Sequence, residues 1–275
     1  MTAILRYTAF TDDPAGGNPA GVVLDASGLS DDEMLKIAAD LGYSETAFAT
    51  PRADGEYDLR YFSPEAEVPF CGHATVATGV ALAERDGPGS LLFHTVAGPV
   101  RVRTGGNPVT ATLTSVVPHV EHVPEALLDT ALDALRWSFD ELDAELPPRI
   151  GFAGARHLIL GAATRERLAD LDYDFDALKQ AMLEHDLTTV DLVYREDDLT
   201  FSARNPFPVG GVVEDPATGA AAAAFGAYLR ELNLITPPAT VTVHQGVDMG
   251  RPSVLTVDID DKRPEIRVSG RAVAM

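Results

Sequence analysis

The sequence predicts an α/β protein with two pseudo-symmetric domains, each a curved mixed β-sheet wrapped around a central buried helix. An internal repeat, two helices that are apolar on every side, and short apolar strands around those helices predict this fold. A chain of 275 residues also exceeds what one core usually holds. We place the domain boundary between residues 118 and 119, with the second domain running to residue 263.

The repeat relates two segments at a constant offset of 147 residues. PFCGHATVATGVALAE begins at Pro69 and PATGAAAAAFGAYLRE begins at Pro216, and seven of their sixteen positions are identical. Each segment is followed by a strand-like stretch that contains histidine, LLFHTVAG or VTVHQGV. Each is preceded by a helix with an acidic cap, SDDEMLKIAADLG from Ser30 or DFDALKQAMLEHD from Asp174. Because the flanking elements repeat too, we interpret the halves as two copies of one α/β unit.

The central helices of the two copies are the most informative elements. ATVATGVALAE, from Ala74, and GAAAAAFGAYL, from Gly219, carry small or apolar residues on every side, which predicts burial all round. A linker helix is predicted at Pro124–Leu135, and turns at Gly16–Ala20 and Glu196–Asp198. Strands are predicted at Leu5–Thr11, Ala20–Leu24, Thr46–Ala49, Tyr57–Phe62, Leu91–Thr95, Val100–Arg103, Thr110–Thr114, Arg156–Leu160, Thr189–Tyr194, Leu199–Ala203, Thr240–His244, Ser253–Ile259 and Ile266–Ala272.

The charge balance excludes some classes of function. Acidic residues outnumber basic ones 42 to 21, so the formal charge is −21, and this repels the phosphate backbone of nucleic acids. The sequence contains no run of 18 apolar residues and so does not predict a membrane span. Its N-terminus does not have the pattern of a signal peptide. The single cysteine, Cys71, excludes an internal disulfide framework and a multi-cysteine zinc site. We therefore expect a cytoplasmic protein that binds neither nucleic acid nor membrane.

Arginine greatly outnumbers lysine among the basic residues. Lysine occurs three times, at Lys36, Lys179 and Lys262, and the other basic residues are arginine. An acidic surface with little lysine is typical of proteins that work in concentrated salt, where self-repulsion is screened. A GC-rich genome that favours arginine and acidic codons explains the same composition, and the sequence leaves both explanations open.

Both central helices start with features that suit an anion. Cys71-Gly72-His73 opens the first and Thr218-Gly219-Ala220 opens the second. A helix N-terminus offers backbone N–H groups and partial positive charge, and glycine lets a ligand approach the backbone. A small carboxylate is the ligand that we expect there. The alternative is that these glycines only permit tight packing where the helix begins.

The repeat also indicates whether the protein has the two matched bases of a symmetric racemase. A racemase with symmetric halves needs two matched bases, often thiols, but the repeat aligns Cys71 with Thr218. A threonine hydroxyl is not a base near neutral pH, so two-thiol racemisation is disfavoured. As a single residue, Cys71 is more often a small buried apolar side chain than a nucleophile.

Carboxylates are better candidates for acid–base work. Glu45 lies at the turn between the first helix and an alternating strand, and Asp215 immediately precedes the second central helix. A carboxylate whose pKa is raised by burial can take and return a proton. The alternatives are a surface glutamate at a helix end and an aspartate that caps the helix. His73 can either donate to a substrate oxygen or hydrogen-bond its own loop.

These motifs resemble the phenazine-biosynthesis isomerase (PhzF-like) family, within the diaminopimelate-epimerase fold group. The resemblance runs nearly end to end. It rests on GGNPAGVV from Gly16, YSETAF from Tyr43, RYFSPEAEVPFCGHATVA from Arg60 and ARNPFPVGGVVEDPATGAAAAAFGAYL from Ala203. It implies an active site between the two domains, a last strand (about 264–275) that returns to the first domain, and a homodimer.

The resemblance also implies roles for individual residues. Glu45 matches the family's acid/base, which moves a proton between carbons of a small carboxylic acid without cofactor or metal. His73 and Asp215 match residues that bind and polarise the substrate. Substrate binding is also implied for Asn18, Gly72, Thr218, Gly219 and Ala220, of which the backbone at the two helix starts would hold the carboxylate.

One position departs from the family pattern. Ala220 stands where phenazine-forming members have serine, which removes a hydroxyl that can contact substrate. A missing polar contact in a buried site costs about 1–3 kcal/mol, so we expect a different small carboxylate as the substrate. The sequence leaves two other functions open: an amino-acid racemase or epimerase of the same fold, and a catalytically silent protein that binds a small carboxylate.

Overall fold

The protein is represented by a computed structural model, which describes residues 2–52 and 55–275. Its internal contacts divide the chain into two compact units. The first unit contains Met1–Thr114 and Ser269–Met275, and the second contains Ser115–Val268. In the part of the chain that the structure describes, no helix combines the length and the apolar composition needed to span a bilayer.

Each unit alternates strands with a few helices. The first contains β1 (Leu5–Ala9), β2 (Asn18–Val23), α1 (Asp31–Leu41), β3 (Glu45–Pro51), β4 (Glu56–Phe62), β5 (Glu67–Val68), α2 (Gly72–Asp86), β6 (Ser90–Thr95), β7 (Gly98–Gly105) and β8 (Thr110–Thr114). The second contains β9 (His119–His122), α3 (Glu125–Leu135), β10 (Arg149–Phe152), β11 (Arg156–Gly161), α4 (Arg165–Ala169), α5 (Phe175–Glu184), β12 (Thr189–Arg195), β13 (Thr200–Phe207), β14 (Val212–Asp215), α6 (Gly219–Glu231), β15 (Ala239–Gln245) and β16 (Ser253–Ile259). The last strand, β17 (Ile266–Ala274), begins in the second unit and ends in the first, where it pairs with β1.

The strand pairings repeat from one unit to the other. In the first unit β1–β2 is antiparallel, β2–β3 parallel, β3–β4 antiparallel, β4–β6 parallel and β6–β7 antiparallel. In the second, β10–β11, β11–β12, β12–β13, β13–β15 and β15–β16 follow the same sequence of directions. The short strands β5 and β14 pair antiparallel with β4 and β13. This correspondence confirms the predicted architecture of two copies of one mixed α/β unit.

The central helices are buried because their small side chains let the sheet come close. In α2 every residue from His73 to Ala83 is buried, and in α6 every residue from Ala221 to Leu229 is buried. A Cβ added at Gly79 would lie 3.1 Å from a Val102 methyl carbon. A helix with larger side chains here would clash with the strands.

The other helices cover the opposite face of each sheet. In the first unit α1 buries Met34 and Ala38 against Val23, Phe48 and Phe62. In the second unit a larger cluster joins α3 and α5 to the sheet through leucines, alanines, Met182 and Trp137. α1 starts with a capping box between Ser30 and Glu33 and ends at Gly42, whose φ of 68° suits glycine.

Several sequence-based boundaries were wrong. β1 ends at Ala9 rather than Thr11, and the predicted turn at Gly16–Ala20 includes the first residues of β2, Asn18 and Pro19. The short strands β5, β9, β10 and β14 and the short helix α4 were not predicted, because strands of two to four residues carry too little periodicity to be recognised. The residue that caps α6 is Thr218 and not Asp215, which ends β14.

Candidate active site

A cluster of three chemically active side chains lies at the start of α2 in the first unit. It contains the Glu45 carboxylate, the Cys71 thiol and the His73 imidazole. Cys71 is the N-cap of α2 and has extended backbone, but its thiol does not make the capping hydrogen bond to a backbone N–H of the first turn. His73 is the second residue of the helix. All three side chains are buried or nearly so: 6% of the His73 side chain and 16% of the Glu45 side chain are exposed.

Strand register brings Glu45 to this helix. Glu45 is the first residue of β3, three positions after the left-handed Gly42 that ends α1. Its Cα pairs with that of Ala20 in the parallel strand β2. Because side chains alternate along a strand, Glu45 points to the same face as Ala47 and Ala20, and this is the face opposite to Phe48, which packs on α1.

The atoms of the cluster are close to one another. Cys71 Sγ donates towards Glu45 Oε2 at 3.4 Å, and His73 Nε2 lies 3.4 Å from the same oxygen. Cys71 Sγ is 3.4 Å from His73 Nδ1 and 3.7 Å from Nε2. Ser44 Oγ approaches His73 Nε2 at 3.4 Å. The oxygen–nitrogen distances are long for hydrogen bonds, so these contacts hold the three groups together only weakly.

Burial changes the acidity of Glu45. Its removal from water raises the pKa of the carboxyl above the ordinary value of 4.5, while hydrogen bonds from Ser44 and Cys71 oppose that rise. A carboxyl with a raised pKa holds a proton more readily than an ordinary glutamate does, and its carboxylate is a stronger base. Glu45 is therefore suited to both halves of a proton transfer.

Asn18 starts the neighbouring strand. It is 1% exposed, pairs with Ala9 of β1, and lies two residues before Ala20. The alternation of side chains puts Asn18 and Glu45 on the same face of the sheet. Gly17 precedes Asn18 with a φ of +64°, and a Cβ there would lie 2.4 Å from the Ala9 carbonyl oxygen, so only glycine fits this approach.

A different cluster lies at the start of α6 in the second unit. Thr218 Oγ1 donates to Asp215 Oδ2 at 2.6 Å. Gln245 Nε2 donates to the Asp215 carbonyl oxygen at 2.7 Å and to Thr218 Oγ1 at 3.0 Å. The Thr218 backbone N–H donates to Gln245 Oε1 at 3.0 Å. The only hydroxyl proton of Thr218 thus goes to Asp215, and the turn is closed by hydrogen bonds on both sides.

The remaining predicted residues belong to the helix starts themselves. Gly72 and Gly219 are the first residues of α2 and α6, and Ala220 is the second residue of α6. The first turn of an α-helix directs N–H groups out of its end, where an anion is stabilised. The structure therefore places Gly72 and His73 beside Glu45 in the first unit, and Thr218, Gly219 and Ala220 beside Asp215 in the second.

Sequence analysis did not identify three contributors. Ser44 and Cys71 contact the Glu45–His73 pair, so Cys71 is not only the small apolar side chain that its sequence context predicts. Gln245, which is 1% exposed, was not considered. A signal for it exists: Val241, Val243 and Gln245 occupy the buried positions of an alternating strand, and a polar residue on that face requires hydrogen-bond partners.

Comparison with known proteins identifies the family of the chain. The family model for "Phenazine biosynthesis-like protein" matches residues 7–275. An uncharacterized isomerase, YddE of Escherichia coli K12, is 33% identical over 99% of this chain and 96% of its own. The trans-2,3-dihydro-3-hydroxyanthranilate isomerase of Pseudomonas chlororaphis is 31% identical over 96% of this chain and 94% of its own.

Solved structures agree as well. The crystal structure of a Bacillus anthracis phenazine biosynthesis protein of the PhzF family superposes with a TM-score of 0.88, at 27% identity, over 99% of this chain and 96% of that one. Sequence and fold therefore point to the same group of proteins over nearly the whole length. The chain belongs to the phenazine biosynthesis-like (PhzF) family and is an isomerase.

Proposed function

We propose that the protein is a cofactor-independent isomerase that moves a proton between two carbons of a small carboxylic acid, with Glu45 as the single acid/base. The observation that supports this most is the buried Glu45 carboxyl, whose pKa is raised by burial, next to His73 at the start of α2. The similarity to an isomerase of trans-2,3-dihydro-3-hydroxyanthranilate, a cyclic carboxylic acid, agrees with that substrate class.

The proton transfer needs one group in two protonation states. As a carboxylate, Glu45 removes a proton from one carbon of the substrate. As a carboxylic acid, it returns that proton to a second carbon, and this restores the carboxylate. General acid–base catalysis of this kind contributes about 10²–10⁴ in rate. The raised pKa of Glu45 reduces the energy difference between the two states, which favours both steps.

The neighbouring groups have supporting roles in this proposal. His73, within 3.4 Å of the Glu45 carboxylate, donates to a substrate oxygen and stabilises the charge that develops there. The backbone N–H groups at the start of α2, at Gly72 and His73, bind the substrate carboxylate. In this proposal the residues that bind the substrate also include those that the family resemblance implies: Asn18, Asp215, Thr218, Gly219 and Ala220.

Proton exchange in D₂O tests the mechanism directly. Dihydro-aromatic acids, including trans-2,3-dihydro-3-hydroxyanthranilate, and cyclic and acyclic amino acids would be incubated with the protein and followed by NMR. We expect the wild type to introduce deuterium at carbon into one class of compound, and Glu45→Gln to lose this exchange by about 10²–10⁴. Glu125→Gln is the matched control, because Glu125 is an exposed residue at the start of α3.

Two results would contradict the proposal. Full exchange by Glu45→Gln would remove Glu45 from the chemistry. Absence of exchange with every compound, together with thermal stabilisation by one of them, would favour the catalytically silent binding protein. The pH profile supplies a further check: kcat/KM should fall as pH falls through the raised pKa of Glu45, because only the carboxylate accepts the substrate proton.

A further inference from the structure

The three side chains at the start of α2 offer sulphur, nitrogen and oxygen donors at one place. Cys71 Sγ, His73 Nε2 and a Glu45 carboxylate oxygen are the donor atoms. Thiolate, imidazole and carboxylate are the three ligand types that bind Zn²⁺ in proteins. The set comes from two elements of the first unit, β3 and the start of α2, and both Cys71 and His73 are buried. Among the described residues, this is the group of three such ligands that the structure brings together.

The spacing of these atoms fits a tetrahedral ion. Bonds of about 2.3 Å to sulphur and about 2.0–2.2 Å to nitrogen and oxygen, meeting at tetrahedral angles, separate the ligand atoms by about 3.3–3.6 Å. The observed separations are 3.4 Å for Cys71 Sγ to Glu45 Oε2, 3.4 Å for His73 Nε2 to the same oxygen, and 3.7 Å for Sγ to Nε2. Cys71 Sγ also lies 3.4 Å from His73 Nδ1, so the sulphur is beside the imidazole ring rather than in front of the Nε2 lone pair. Binding of one ion by all three groups therefore requires the His73 ring to turn in addition to small shifts of the ligand atoms.

We propose that Glu45, Cys71 and His73 form a Zn²⁺ site and that zinc bound there inhibits the enzyme. The thiol loses its proton to solvent when the ion binds, and the fourth position of the tetrahedron is left to water or to the carboxylate of a ligand. The partly exposed Glu45 side chain gives the ion access to the site. The site is inhibitory rather than catalytic, so the proposal keeps the expectation that turnover needs no metal.

Zinc inhibits because its ligand atoms are the atoms that the proposed proton transfer uses. A carboxylate bound to zinc is no longer a proton acceptor, and an imidazole bound through Nε2 no longer donates from that atom to a substrate oxygen. The inhibitory part of the inference therefore rests on the proposed function of Glu45. Metal binding itself does not, because it depends only on the three donor atoms and can be measured without a substrate.

The single cysteine of the chain makes a spectroscopic test specific. Co²⁺ adopts the coordination of Zn²⁺ in such sites, and a thiolate bound to Co²⁺ gives a charge-transfer absorption that imidazole and carboxylate ligands do not give. Because Cys71 is the one cysteine in the sequence, any such band reports on this site. We expect one Co²⁺ per chain to produce the band, and one equivalent of Zn²⁺ to abolish it.

Variants identify the other ligands. Cys71→Ser should remove the charge-transfer band, and Glu45→Gln and His73→Asn should each weaken Co²⁺ binding more than about tenfold. The matched control is His119→Gln, because His119 and Glu121 form an exposed pair at 3.0 Å that can bind metal only as a surface site. That variant should leave the band unchanged. Circular dichroism confirms folding, and the wild-type titration stands by itself if a variant fails to fold.

The outcomes separate this inference from the proposed function. No charge-transfer band with stoichiometric Co²⁺, or a band that is unaffected in both Glu45→Gln and His73→Asn, would overturn the zinc site whatever the activity. A band together with zinc-insensitive, Glu45-dependent deuterium exchange would overturn the inhibitory role. Zinc that binds one per chain and stops exchange in the wild type, with no change in His119→Gln, is the expected result.

Discussion

The two units repeat a scaffold but not a chemistry. In the first unit the start of α2 collects an acid, a thiol and an imidazole, with Glu45 partly open to solvent. In the second unit the start of α6 is a closed turn, in which Gln245 binds both Asp215 and Thr218. Strand directions and helix starts correspond throughout, so the fold itself does not select the reactive groups. The reactive groups depend on a few positions at which the two copies carry different residues.

The second unit has its own buried titratable groups, His157 in β11 and Asp191 in β12. Thr189 Oγ1 donates to Asn205 Oδ1 at 2.7 Å, so the His157 Nδ1 at 2.8 Å must be the protonated nitrogen that donates to Thr189. Asn205 Nδ2 in turn donates to Asp191 Oδ1 at 2.9 Å. Burial raises the pKa of Asp191 to about 7 and lowers that of His157 to about 3. These two groups therefore make the stability of the folded protein depend on pH.

The largest effect that we expect is on the pH dependence of stability in the second unit. Asp191 is protonated in the folded protein up to a pH of about 7, but ionises near 3.8 when unfolded. The folded state therefore binds the extra proton between these values, and the free energy of unfolding falls by up to about 1.4 kcal/mol per pH unit as pH rises. Asp191→Asn, which keeps an oxygen for Asn205, should remove this decline.

His157 gives the opposite sign and so a control for the same experiment. It stays neutral in the folded protein down to a pH of about 3, but the unfolded chain takes up a proton below 6.5. Its contribution to the free energy of unfolding therefore rises with pH between these values, and His157→Gln should remove that rise. Urea unfolding from pH 4 to pH 7.5 measures both. A difference between Asp191→Asn and wild type that does not change with pH would contradict the assignment.

A smaller effect compares the two central helices at equivalent glycines. A Cβ at Gly226 would lie 2.7 Å from a Val257 methyl carbon, whereas a Cβ at Gly79 would lie no closer than 3.1 Å to Val102. Gly226→Ala should therefore destabilise the protein by up to about 3 kcal/mol through overpacking. Gly79→Ala should stay within about 1 kcal/mol of wild type, because better helix propensity offsets the tighter contact. Equal denaturation midpoints for the two variants would show that α2 and α6 are packed alike.

Sequence patterns predicted the parts of the molecule that are set by repetition and periodicity. The repeat and the small residues around Gly79 and Gly226 indicated both central helices. The sequence placed Glu45 in the turn before a strand, next to its observed position as the first residue of β3. The contacts of Cys71 and Gln245 were not predicted. Each joins residues that are 26 or more positions apart, Cys71 to Glu45 and Gln245 to Thr218, and only the folded register brings such pairs together. The substrate, the homodimer and the cytoplasmic location stay predictions.

The smallest effect that we expect concerns the hydrogen bonds that join the start of each central helix to the hairpin that follows it. In the first unit this is a backbone hydrogen bond, which the Ala97 N–H donates to the Pro69 carbonyl at 3.2 Å. In the second unit the hydrogen bonds come from the Gln245 side chain. Gln245→Met keeps the length but removes all three hydrogen bonds, and we expect a loss of about 1–2 kcal/mol. The loss stays moderate because Asp215 and Thr218 are half-buried and water can replace part of the lost bonds.

Thr95 provides the matched change in the first unit. It is the last residue of β6, as Gln245 is of β15, but its hydroxyl donates to the Gly98 carbonyl within its own hairpin. Thr95→Val should therefore cost less than Gln245→Met and leave the start of α2 unchanged. Amide hydrogen exchange at the first turn of each helix reads this out: protection should fall at α6 in Gln245→Met and stay constant at α2 in Thr95→Val. Unchanged protection at α6 would mean that the turn is held by its backbone, as in the first unit, and that the two helix starts differ in chemistry alone.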